Sequence, residues 1–228
     1  MRPEGTFPSL VLFDLDGTLI DSEAGIVASI EYALAKVGVP LPSREVLRTW
    51  IGPPLRATFP LALGDDPEKI ELAVAYYRER FADVGWREHT VYAGIEAAVD
   101  ALAVQGATLA VVTSKPDLYA GRIVASLPFG DRFARVYCVH AASHHSEKAE
   151  MIAQALSDFG VEAGAVAMIG DRHFDIEGAL ANGVRAIGVS WGFGSVDELQ
   201  RAGASAIAHA PLELMHLLAS GARSSTVV

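Results

Sequence analysis

Residues 10–22 read LVLFDLDGTLIDS, an apolar run that ends on Asp14 and Asp16 with Gly17 and Thr18 just behind. A short apolar run bounded by charge predicts a buried strand. Aspartate is disfavoured in strands and costly to bury without a partner. Two of them at the end of a hydrophobic run therefore point to a use for their charge. Gly17 permits a tight backbone turn in which amide hydrogens can face an anion.

Short apolar runs recur as TLAVVTS, RVYCVH, AVAMIGD, RAIGVS and SAIAHA. Between them lie segments with helical spacing, such as GIEAAVDALAVQG, closed by Gly106, and EKAEMIAQALSDFG, closed by Gly160. Buried strands alternating with helices predict an α/β fold, a Rossmann-like, mostly parallel sheet covered on both faces. One interval breaks the alternation. From about Ser22 to Trp86 the pattern is helical only: Ile26, Ile30, Leu34 and Val37 share one face, and DPEKIELAVAYYRERFADVG is a long amphipathic segment. Pro53 and Pro54 mark a turn inside this block, and Gly94 falls near the return to the α/β pattern. The division expected is a core domain of residues 1–20 and 88–228 with a small helical domain, 21–87, inserted after the first strand. The small, polar stretch ASGARSSTVV, residues 219–228, predicts a frayed tail.

The composition narrows the partners. The 228 residues carry a formal net charge of −10 and a pI near 5.1, which repels a phosphate backbone over most of the surface. Nucleic-acid polymers are not expected; a small phosphorylated metabolite held in a local metal site is compatible. Hydrophobic residues make up 51% and mean hydropathy is +0.28, yet no apolar run is long enough to span a bilayer. The opening MRPEGTFPSL lacks the pattern of a signal peptide, so the expected location is cytoplasmic, without membrane association. A single cysteine, Cys138, lies in an apolar run and reads as a small buried core residue.

In a parallel α/β sheet, ligands bind beyond the carboxyl ends of the strands. The polar residues predicted there are Asp14 and Asp16, then Thr113 and Ser114, then Asp171, with Lys148 at the start of the helix after RVYCVH. Clustered carboxylates repel one another unless a cation intervenes. Oxygen-only ligands of this kind suit Mg2+, which binds through few carboxylates plus a substrate phosphate. The same set serves phosphoryl transfer: one carboxylate attacks phosphorus, a second acts as general acid and base, and lysine, hydroxyl and metal neutralise the transferring group. Asp175 follows Asp171 at helical spacing, so both can face one cavity.

DLDGT, VVTS, a downstream lysine and GDRHFD, in this order, closely resemble the four motifs of the haloacid dehalogenase-like hydrolase superfamily. The helical insert directly after the first motif resembles that superfamily's phosphoglycolate-phosphatase-like branch. The resemblance implies a Rossmann-like core with a mobile helical cap. It makes Asp14 the nucleophile and Asp16 the general acid/base, with the Asp16 backbone carbonyl also on Mg2+. It puts Thr113 on the phosphoryl oxygens, Lys148 between nucleophile and phosphate, Asp171 on the metal and Asp175, with Gly17 and Ser114, in support. Because dehalogenases of this kind lack the second acid and transport ATPases carry threonine there, Asp16 favours a phosphatase or phosphomutase. Many relatives place proline after the lysine, whereas this chain reads EKAE.

The expected activity is hydrolysis of a small phosphomonoester, such as phosphoglycolate or a nucleoside monophosphate, through an aspartyl-phosphate. A phosphomutase and a non-catalytic phosphometabolite-binding module are the alternatives, and the expected assembly is a monomer or homodimer. Arg56, in GPPLR, is the cap cation nominated to hold a non-reacting part of the substrate; a surface arginine is an equal reading. His140, His144 and His145 lack acidic or cysteine partners at a recognisable metal spacing and read as loop residues. Trp50, Trp86 and Trp191 read as packing anchors.

Overall fold

The computed structural model describes residues 7–139 and 148–220. The histidines His140, His144 and His145 and most of the expected tail lie outside the described residues. The chain divides into two compact units, Met1–Ile20 with Val91–Val228, and Asp21–Thr90.

The first unit opens with β1 (Leu10–Phe13), and β2 (Ile20–Asp21) leads into the second. The second unit is helical, with α1 (Glu23–Lys36), α2 (Arg44–Arg48), α3 (Leu55–Thr58), α4 (Pro60–Leu63) and α5 (Pro67–Asp83). The spacing of its apolar residues decides its packing. Ile26, Ile30 and Leu34 of α1 are buried, as are Ala73, Val74 and Phe81 of α5, and the two helices pack on each other. Two helix starts have side-chain caps: Ser43 Oγ accepts from Val46 N and the Asp66 carboxylate from Lys69 N. Trp50 is buried edge-on to Phe59, with ring centroids 6.5 Å apart.

After β3 (Thr90–Val91), the α/β alternation runs through α6 (Ile95–Val104), β4 (Thr108–Pro116), α7 (Asp117–Ser126), β5 (Phe133–Val139) and α8 (Lys148–Phe159). It continues with β6 (Val166–Gly170), α9 (His173–Ala181), β7 (Arg185–Val189), α10 (Val196–Arg201), β8 (Ala206–Ala208) and α11 (Glu213–Ser220). Six strands form one parallel sheet in the order β5-β4-β1-β6-β7-β8. Leu10 to Phe13 are all fully buried, as the central place of β1 requires. Side chains alternate across the sheet: Leu10 and Leu12 join Ile152 and Ala155 of α8 and Ile176 and Ala179 of α9 in one cluster, while Phe13 meets the ring of Phe133 edge-on at 6.0 Å.

Cys138 departs from the expectation of a buried core residue and is half-buried. It sits in β5, which stands at the end of the strand order and pairs with β4; an edge strand covers its side chains less fully than a central one. Among the described residues, no helix is long and apolar enough to cross a membrane.

Candidate active site

Register builds the site. Phe13 stands level with Val111 on one side and Ile169 on the other, so Asp14, Thr113 and Asp171 emerge together at the carboxyl edge. The Asp14 amide still donates to the Ile169 carbonyl (2.9 Å), which extends the ladder to the first acid. The chain then turns back on itself, with Gly17 N donating to Ile20 O (2.8 Å) and Leu19 N to Leu15 O (2.9 Å). Gly17 sits at φ 84°, and a Cβ there would lie 2.1 Å from a carboxylate oxygen of Asp171. Both observations require glycine at this position.

Lys148 ties three elements together. Its Nζ donates to Asp14 Oδ1 at 2.7 Å and to the Val112 carbonyl at 2.9 Å, and it pairs with Asp175 Oδ1 at 2.7 Å. The side chain is 5% exposed. A buried ammonium needs this degree of satisfaction. Asp175 in turn accepts from the Arg172 amide through Oδ2 (3.1 Å), so it caps α9 while holding Lys148. Gly170 allows this closeness, since a Cβ there would lie 2.3 Å from Asp175 side-chain atoms.

Asp171 is fully buried in a cradle of small residues. Phe193 N donates to its Oδ2 at 2.8 Å and Thr18 Oγ1 approaches Oδ1 at 3.4 Å. A Cβ on Gly192 would lie 2.4 Å from Asp171 Cβ, and one on Gly194 would lie 1.9 Å from its carbonyl oxygen. Behind it, Glu198 accepts from Arg172 Nε (2.9 Å) and the His173 amide (3.0 Å), and lies 2.8 Å from His173 Nδ1. Burial opposes ionisation of Glu198, but these contacts outweigh it and hold the carboxyl down at about 2.

Asp14, Asp171 and Asp175 each offer a carboxylate oxygen, and these atoms all lie within 4.8 Å of one another. Burial raises the Asp14 carboxyl to about 6, with Lys148 opposing and Asp175 adding to the rise. Burial also pushes Asp171 well above the usual carboxylate range, reinforced by Asp175 and Asp14. Burial lowers Lys148, yet its pairs with Asp14 and Asp175 more than offset this and raise it overall. Three acids against one ammonium leave a local excess of negative charge, and the donors are all hard oxygens. The residues fit a divalent cation of the oxygen-seeking kind.

Of the predicted residues, the structure brings Asp14, Asp16, Gly17, Thr113, Lys148, Asp171 and Asp175 to one strand edge. The Asp16 side chain stands outside the three-carboxylate cluster: both its oxygens face Lys115 Nζ, at 2.9 and 2.8 Å. Thr113 is buried and its Oγ1 accepts from the Lys115 amide (3.2 Å). Ser114, one step off the two-residue period of β4, is exposed. Arg56 belongs to the helical unit, where it forks onto Glu71 at 2.6 and 2.8 Å with both side chains more than half exposed.

Sequence reasoning passed over Lys115 and the loop at residues 192–194. For Lys115 the signal was available, since alternation in VVTSK puts it on the face of Thr113. For the loop, the glycine pair in SWGFGS hinted at a close backbone approach without saying to what.

Residues 11–189 match the family model described as haloacid dehalogenase-like hydrolase. The chain belongs to this family. It is 42% identical over 190 residues to a 5'-nucleotidase of Pseudomonas aeruginosa, covering 83% of this chain and 86% of that protein. It is 33% identical over 207 residues to the tyrosine-protein kinase PtkA of Mycobacterium tuberculosis, covering 90% of this chain and 70% of the other. Among solved structures, a predicted phosphatase from Clostridium acetobutylicum superposes with a TM-score of 0.86 at 36% identity, over 93% of this chain and 99% of that one. The family and its α/β core therefore agree with the motifs and the sheet.

Proposed function

We propose that this hydrolase is a Mg2+-dependent phosphatase that releases inorganic phosphate from a small phosphomonoester through an aspartyl-phosphate. The observation that carries the reading is Asp14: a buried carboxylate at the end of the central strand, gripped by Lys148 and flanked by Asp171 and Asp175. The 42% identity to a 5'-nucleotidase favours nucleoside monophosphates among the candidate substrates, ahead of phosphoglycolate, since the identity to phosphoglycolate phosphatases of Pseudomonas putida and Pseudomonas syringae is 28% and 27%.

In the first half-reaction a carboxylate oxygen of Asp14 attacks phosphorus while the bond to the leaving oxygen breaks and Asp16 gives that oxygen its proton. In the second, Asp16 takes a proton from water as the water oxygen attacks the same phosphorus; phosphate departs and the Asp14 carboxylate is restored. In this reading Lys148, which holds Asp14, also donates to the phosphoryl oxygens, and the Thr113 hydroxyl donates to them as well. Asp14, Asp171 and the Asp16 carbonyl would hold the cation, with Asp175 supporting through Lys148. When bound, Mg2+ offsets the anionic excess and withdraws charge from the phosphoryl group. The helical unit Asp21–Thr90 serves as the cap that selects the substrate, a property of cavity shape more than of residue type.

The test is phosphate release from a panel of nucleoside monophosphates, phosphoglycolate and sugar phosphates, with and without Mg2+. Expected is Mg2+-dependent release that disappears in Asp14→Asn. Release that persists in the variant would remove Asp14 as nucleophile.

A further inference from the structure

Lys115 is a buried charge for which the mechanism above has no use. Its side chain is 5% exposed, and its Nζ bridges both oxygens of Asp16, itself 17% exposed. Taking charges out of water is costly, and replacing both members of a buried ion pair by apolar side chains of similar volume is often neutral or stabilising. The pair is therefore poorly explained as a stabilising device. Its position is informative. Lys115 lies two residues beyond Thr113 on the same face of β4, and its amide bonds the Thr113 hydroxyl at 3.2 Å. The β4–β5 register shifts between Val112 and Pro116, so this end of β4 departs from the regular ladder.

At this edge the two acids that follow β1 are held by different lysines. Lys148, from α8, holds Asp14, and Lys115, from β4, holds Asp16. Asp16 stands in the turn after β1, and both oxygens of its side chain face Lys115 Nζ. We propose that Lys115 is a positioning residue that fixes the Asp16 carboxylate for proton transfer with the leaving oxygen and, later, with water. The inference rests on the phosphatase reading and on Asp16 as its acid and base.

A positioning role predicts selectivity by leaving group. A nitrophenolate departs without a proton, whereas the alkoxide of a nucleoside monophosphate requires one. General acid catalysis contributes about 10²–10⁴-fold, so Lys115→Met should lower kcat/KM for a nucleoside monophosphate by about 100-fold and for p-nitrophenyl phosphate by less than about 10-fold. Lys115→Arg should recover part of the loss, because its fork can also span both Asp16 oxygens. Asp16→Asn should show the same selectivity, and Lys115→Met added to it should cost little more, since the two act as one unit. If Lys115→Met fails to fold, as judged by its melting curve, Lys115→Gln carries the same comparison.

Equal losses on both substrates would overturn the proposal and mark Lys115 as a direct phosphate contact. Losses additive with Asp16→Asn would overturn it too. If the wild-type protein releases phosphate from neither substrate, or Asp14→Asn leaves release unchanged, the phosphatase reading itself has failed; wild-type turnover with an unselective Lys115 variant refutes only this inference.

Discussion

Replacing Asp171 by Asn should abolish Mg2+-dependent activity and, in the absence of metal, make the protein more stable. The side chain is fully buried, and Lys148 is engaged by Asp14 and Asp175. Burial, then Asp175, then Asp14 push its carboxyl well above 3.8. A carboxyl raised on folding keeps a proton in the native state at a pH where the unfolded chain has released it. Native stability therefore falls as pH rises above 3.8. At pH ~7.5 the penalty is bounded by the cost of keeping that proton, about 5 kcal/mol at 1.36 kcal/mol per unit. Asparagine removes the charge and can still accept from Phe193 N, but it weakens that bond and buries an amide, which returns about 1–3 kcal/mol. The difference leaves a gain of at most about 2–4 kcal/mol, each kcal/mol raising the melting temperature by roughly 2–4 °C for a chain of this size. The assay is a melting curve with a chelator from pH ~4.5 to ~8.5, repeated with Mg2+. The wild-type protein should lose stability as pH rises and recover it with Mg2+; the variant should show a flatter profile and little response to the metal. A variant that melts at or below the wild-type temperature in chelator, with the same pH slope, refutes the account of Asp171 as an uncompensated buried acid.

Gly17→Ala combines a φ of 84° with a Cβ 2.1 Å from the Asp171 carboxylate; it should cost about 2–4 kcal/mol by denaturant unfolding and at least about 100-fold in turnover, since it displaces the carboxylate proposed to hold the cation. Glu198→Gln should flatten the acid side of the stability profile. With a folded value of about 2 against 4.5, this carboxylate contributes stability that is full above 4.5 and lost as pH falls towards 2, about 1–2 kcal/mol after allowance for solvent screening. Acid titration of the two proteins followed by circular dichroism checks it; superimposable curves would show that the His173 and Arg172 contacts contribute nothing net.

Strand-length apolar runs, the helical spacing of the insert and the acids that close the runs are all legible in the local sequence. Apolar runs of strand length and i, i+3, i+4 spacing in residues 23–36 are local signals, set by which faces must leave water. Asp14, Asp16 and Asp171 were legible because each closes an apolar run, where an unpaired acid would be too costly to keep for structure alone. Other features depend on contacts between distant segments. The half-buried state of Cys138 depends on β5 standing at the sheet edge. The cradle around Asp171 is made by Gly17 and by Gly192, Phe193 and Gly194, which meet only because β1, β6 and β7 lie side by side in register. The pairing of Lys115 with Asp16 joins residues 99 positions apart. Such contacts follow from strand order and register, which are fixed by the packing of the whole core and leave only faint traces in any one segment.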